Sequence, residues 1–159
     1  MIKITLIALG GLKEKYLKDA ESEYKKRLSR YCNLEIIEIE PERINDNPSQ
    51  SEIDTALKKE ADRISAKIPK NCKIISLCVE GKQFSSPDFA KETKSFENFG
   101  ENIAFIIGSS YGLSQKIKEM SDIKLSLSKM TFPHKLFRIM LLEQIYRAFK
   151  INEGSAYHK

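Results

Sequence analysis

Apolar residues arrive along this chain in short blocks separated by longer amphipathic stretches. Residues 2–9 form a near-continuous apolar run rich in β-branched side chains and ended by Gly10-Gly11, the pattern of a buried strand. Residues 13–31 space Tyr16, Leu17, Ala20, Tyr24 and Leu28 three or four apart among charges, which predicts an amphipathic helix. LEIIEIE, residues 34–40, predicts a second strand, followed by a loop around PERINDNP. Ser49 with Glu52 three positions on is a capping box, so a helix is expected from there to Lys67, stopping before Pro69. KIISLCV, residues 73–79, predicts a third strand and EGKQ a turn, after which Ser86 and Pro87 supply the N-cap and first turn of a helix that Gly100 closes. NIAFII, residues 102–107, predicts a fourth strand running into GSSYGL; a short helix begins near Ser114, and IKLSLS from Ile123 predicts a fifth strand.

The last helix, residues 135–151, is apolar nearly all round. Phe137, Met140, Leu141, Ile145, Ala148 and Ile151 make one stripe with Gln144 inside it. Ile139, Leu142, Tyr146 and Phe149 make a second, interleaved with Arg138, Glu143, Arg147 and Lys150. One stripe covers the sheet, and the other is expected to meet a second copy of the helix in a twofold homodimer. The alternation of strand and helix predicts an α/β fold, a mostly parallel five-stranded sheet with helices on both faces. In such sheets ligands bind outside the carboxyl ends of the strands, which points to the loops after strands three, four and five.

The length of 159 residues and 41% apolar content suit one domain, residues 1–159, with one real core. No stretch reaches about 18 apolar residues and the first run is too short for a signal peptide, so a cytoplasmic protein without a membrane partner is expected. Cys32, Cys72 and Cys78 are odd in number and lack C-x-x-C spacing, which predicts reduced packing residues and no metal site. The formal charge of +5 suits a polyanionic partner, and it concentrates late: residues 129–159 hold six basic residues against two acidic, together with both histidines, His134 and His158.

After strand four, Gly108-Ser109-Ser110-Tyr111-Gly112 places two glycines four apart, either an ordinary strand-to-helix turn or a backbone that a ligand approaches closely. Neither G-x-G-x-x-G nor a G-K-[ST] ending is present, so a ligand gripped by its phosphates is not expected. After strand three, Leu77 can offer a carbonyl or an apolar wall to a flat ring, or simply belong to the core, and Glu80 can face a ribose hydroxyl or solvent. After strand five, Pro133 stiffens the run that reaches His134.

The GSSYGL turn, the LSLSKMTFPH loop, the helix RIMLLEQIYRAFKI and the terminal Ala156-Tyr157-His158-Lys159, in this order and over the whole chain, resemble the RlmH family. These are SPOUT-class methyltransferases acting on N3 of a pseudouridine in large-subunit (23S) ribosomal RNA. The resemblance implies a SPOUT fold with a carboxyl-terminal trefoil knot and S-adenosylmethionine held in it. By position, Leu77, Gly108, Leu127, Ser128, Lys129, Met130, Thr131 and Phe132 would contact that cofactor; Ser109 departs from the pattern, where the family carries a second glycine. Tyr157 and His158 are the candidates for stacking on the base and removing its N3 proton, with the tail of one subunit completing the other's site. Arg138 joins them as a candidate for holding RNA phosphates, as does Arg147, unless Glu143 and Arg147 pair on the helix at i,i+4. A noncatalytic dimeric ribosomal RNA-binding protein and a flavodoxin-like domain are the competing readings. Recognition through an assembled ribosome is expected, because the chain offers little surface for reading bases.

Overall fold

A computed structural model describes residues 1–159. Its elements follow the alternation of the pattern: β1 (Ile2–Leu9), α1 (Lys15–Leu28), β2 (Cys32–Ile39), α2 (Gln50–Lys67), β3 (Cys72–Gln83), α3 (Ser86–Asn98), β4 (Asn102–Ile107), α4 (Gln115–Met120), β5 (Ile123–Ser126) and α5 (His134–Asn152). The five strands form one sheet in the order β2-β1-β4-β3-β5, and all four pairings are parallel.

Burial explains why β1 and β4 read as unbroken apolar runs, since a parallel strand has helices over both faces. Ile4, Leu6, Phe105 and Ile107 pack with Leu28 of α1, Phe89 of α3 and Leu141, Leu142 and Ile145 of α5. Ile7, Leu9 and Ile106 point the other way, against Ala61 and Ile64 of α2 and Ile117 of α4. Each fully buried Ile, Leu or Phe contributes about 1.5–3 kcal/mol relative to exposure, so these two layers fix the sheet.

Local signals set the helix starts. Ser49 Oγ accepts the N–H of Glu52 at 3.1 Å while the Glu52 carboxylate accepts the N–H of Ser49 at 3.4 Å, the expected reciprocal box. Helix α3 is capped by Ser85, one position earlier than the expected Ser86, and carries Pro87 in its first turn. The expected EGKQ turn is instead strand: β3 continues to Gln83, with a register shift between Leu77 and Lys82 against β5. Gly81 permits it, because a Cβ there would sit 2.6 Å from the Lys124 carbonyl oxygen.

Helix α5 departs most from its expected stripes. Its buried residues are Arg138, Leu141, Leu142, Ile145 and Ala148. Leu142, assigned to the outer stripe, is 0% exposed, whereas Phe137 and Met140 are only half-buried. Part of the outer stripe is covered within the chain: Phe149 stacks on Tyr31 with ring centroids 5.4 Å apart, and Tyr146 packs edge-on to Tyr31 at 6.1 Å. No helix is long and apolar enough to cross a membrane.

Candidate active site

Because β4, β3 and β5 are neighbours in the sheet, the loops that leave their carboxyl ends converge. They enclose a cavity of about 660 Å³, and ten of its 21 lining residues are apolar. Of the sequence-predicted cofactor residues, Leu77, Gly108, Leu127, Ser128, Thr131 and Phe132 line it. Lys129 and Met130 do not, and Met130 is 73% exposed.

The turn after β4 is closed on itself. The Gly112 N–H donates to the Ser109 carbonyl at 2.9 Å, Gly112 adopts φ +84°, and a Cβ on Gly108 would lie 2.3 Å from the Gly112 oxygen. Only glycine fits at both ends. The loop after β5 is held by its own serines: Ser126 Oγ donates to the Ser128 carbonyl at 3.1 Å, and Ser128 Oγ accepts the Met130 N–H at 3.0 Å. Phe132 then packs edge-on to Phe137, centroids 5.5 Å apart, which ties the loop to the start of α5. Both rings face the cavity.

Charge at the cavity is neutralised by partners. Glu80 is ion-paired to Lys118 at 2.5 Å, and that hydrogen bond holds the carboxyl below its ordinary range. Burial, and secondarily Lys135, lowers the pKa of His134, which leaves it neutral near pH 7. Burial raises the Cys78 thiol, so it lines the cavity as a small apolar group. Sequence spacing missed Lys118 and Phe137: each enters through packing of α4 or α5 against the loops, and neither lies in a loop that the strand ends single out.

The remaining candidates lie elsewhere. Helix α5 ends in a left-handed Gly154, with the Gly154 N–H on Ile151 and the Ser155 N–H on Lys150, and this C-cap turns the tail back along the helix. The Tyr157 hydroxyl donates to Glu143 at 3.1 Å, its ring meets Tyr146 edge-on at 5.1 Å, and the Arg147 guanidinium lies 4.7 Å from its centroid. Arg147 also pairs with Glu143 at 2.7 Å, one of the two alternatives its spacing offered. Its Nη1 lies 3.2 Å from His158 Nδ1. A guanidinium only donates, so Nδ1 is the acceptor and the ring proton sits on Nε2. Neither Tyr157 nor His158 lines the cavity of its own chain.

Arg138 is not at the surface at all. It is 3% exposed and donates to Glu21 at 2.6 Å and Glu38 at 2.8 Å, joining α5 to α1 and β2. Its expected hold on RNA phosphates fails in this chain because a buried guanidinium already shared by two carboxylates has no exposed face to offer.

Comparison with known proteins bears on the family and the fold. The model of a family described as a predicted SPOUT methyltransferase matches residues 2–158. The chain belongs to the SPOUT methyltransferase family. Within it, the ribosomal RNA large subunit methyltransferases H of Clostridium kluyveri, Clostridium perfringens and Acetivibrio thermocellus are 53%, 50% and 46% identical to it, each over 99% of this chain and 100% of its own length. These relatives place it in the RlmH family. Among solved structures, a methylase family protein of Haemophilus influenzae shares the fold with TM-score 0.55 at 12% identity, covering 96% of this chain and 67% of that one. One of Neisseria gonorrhoeae gives 0.52 at 12% identity, covering 91% and 82%.

Proposed function

We propose that this SPOUT methyltransferase transfers a methyl group from S-adenosylmethionine to N3 of a pseudouridine in 23S ribosomal RNA, acting as a homodimer on the assembled ribosome. The cavity at the three loop ends carries the reading. Its volume lies within the roughly 300–1,000 Å³ usual for small-molecule sites. Its one lysine is bound to Glu80 and its histidine is neutral, so nothing there grips a phosphate. Leu77, Leu127 and Phe132 offer apolar faces for a flat ring, and Ser109, Ser128 and Thr131 a polar rim. A nucleoside without phosphates fits that donor set, and S-adenosylmethionine is one.

When bound, S-adenosylmethionine supplies an electrophilic methyl group on a sulfonium. The chain's contribution begins with alignment: the self-closed turn at Gly108–Gly112 and the aromatic clamp of Phe132 on Phe137 hold one side of the cavity still. The acceptor nitrogen must also lose its proton, and the cavity's own titratable groups are weak bases for that, with Glu80 paired to Lys118 and the pKa of His134 lowered by burial. Tyr157 and His158 of a second subunit fill the role in this reading, which their position outside their own chain's cavity supports. His158 becomes a base once Arg147 releases Nδ1, since that nitrogen bears its free lone pair.

Calorimetry with S-adenosylmethionine tests the cavity, and mass spectrometry of 23S RNA from a strain lacking the protein tests the reaction. Donor binding and one missing methyl group are expected. Absence of heat would return the chain to the reading of a noncatalytic RNA-binding protein.

A further inference from the structure

The turn between β4 and α4 is joined to the rest of the chain by a single side-chain hydrogen bond, from Ser109 Oγ to Glu60 Oε1 at 3.2 Å. The other oxygen of that carboxylate accepts the backbone N–H of Glu42 at 2.9 Å. Glu60 shares the buried face of α2 with Ala56, Ala61 and Ile64 and is only 3% exposed, yet no ion pair reaches it. A carboxylate taken out of water with two neutral donors and no cation is a costly feature on a helix face that packing alone would fill with an apolar residue.

Its two donors belong to two walls. The turn at 108–112 lines the main cavity, and together with Glu40, Glu42 and Ile44 it also lines an adjoining groove of about 440 Å³. The turn is stiff within itself, because Gly108 and Gly112 are in near contact and Ser109 bonds Gly112. A stiff turn moves as one body, so its anchor decides where it sits.

We propose that Glu60 is a positioning residue of the donor site: through Ser109 it sets the distance of the Gly108–Gly112 backbone from the opposite walls formed by the loops after β3 and β5. The inference rests on the reading of the cavity as the S-adenosylmethionine site. It also gives the serine, where the family resemblance led us to expect glycine, a function as the anchor point of the turn.

The test is a double-substitution cycle read by calorimetry with S-adenosylmethionine, each variant also melted to check its fold. Ser109→Ala, at a half-exposed position that leaves the core intact, weakens donor binding about tenfold, the scale of one hydrogen bond. Glu60→Ala removes the same link together with the bond from the Glu42 N–H, and the double variant is no weaker than Glu60→Ala alone, because Ser109→Ala then has no link left to cut. Glu60→Gln restores binding to within about threefold, since the serine hydroxyl can turn to accept from the new amide. A purely structural carboxylate would lower the melting temperature and leave donor affinity, measured well below it, unmoved. Unchanged affinity in Ser109→Ala, or additive losses in the double variant, overturns the proposal. If Glu60→Ala does not fold, Ser109→Ala and Glu60→Gln decide it. Absence of binding by the unaltered protein overturns the reading of the cavity itself.

Discussion

At the carboxyl ends of β3, β4 and β5 the walls are glycine, apolar side chains and small hydroxyls, and the one acid and the one lysine among them are paired with each other. On the outer side of α5 the Tyr157–His158 tail rests instead on aromatic edges and one shared carboxylate: Glu143 accepts from Tyr24 at 2.6 Å, from Tyr157 at 3.1 Å and from Arg147 at 2.7 Å. The first region springs directly from the ends of three paired strands, and its turn after β4 is closed on itself. The second is held by side-chain polar contacts near the surface, each worth about 0.5–3 kcal/mol, so it can leave and return. A transferase that must hold one small molecule and admit one nucleotide of a large RNA has use for both kinds of part.

The sharpest way to break this contrast is at the rigid end. Gly108→Ala places a methyl 2.3 Å from the Gly112 oxygen, and both partners are backbone, so the turn must open. Destabilisation of about 1–3 kcal/mol is expected from overpacking. Donor affinity measured by calorimetry should fall about 100-fold, because the displaced backbone is itself the wall. Retained affinity would mean that the turn is not part of the site.

Glu143→Ala attacks the other region. Removing the carboxylate leaves the two tyrosine hydroxyls and Arg147 without their common acceptor, for an expected stability loss of about 2–3 kcal/mol by denaturant melt. The freed tail should be cut faster by protease, and methylation of ribosomes from a deletion strain should fall about 100-fold, the low end of what a positioned proton acceptor contributes, because the tail is loosened rather than removed. Donor affinity should stay within about twofold, because none of these groups lines the donor cavity. A parallel loss of donor binding would show that the two regions are one.

The strands, the capping box at Ser49 and the convergence of three loops were legible because each rests on local pattern or on the general rule for parallel sheets. Arg138 was not, since the carboxylates that let it be buried lie 117 and 100 residues away. The continuation of β3 past Val79 was hidden for a similar reason: Gly81 reads as a turn until Lys124 is seen against it. Glu60 gave no signal either, because a glutamate on an amphipathic helix is ordinary until Ser109, 49 residues on, is found beneath it. Pairings across the fold are what periodicity leaves out.

The two regions should also part company with pH, and this is the smallest effect. His134 lines the donor cavity with its pKa lowered by burial. In the folded chain it binds its proton less tightly than in the unfolded one, so its contribution to stability is complete above the ordinary histidine value near 6.5 and is lost as pH falls below it. Tyr24 and Tyr157 are raised, by burial first and by the Glu143 carboxylate second. The folded chain keeps their protons longer than the unfolded one, so that contribution is complete below about pH 10 and declines as pH climbs beyond it. Denaturant melts across pH should therefore show an acid limb that His134→Asn flattens and an alkaline limb that Tyr24→Phe with Tyr157→Phe flattens. If either substitution flattened both limbs, the cavity and the tail would be titrating as one network, and the separation drawn between them would not hold.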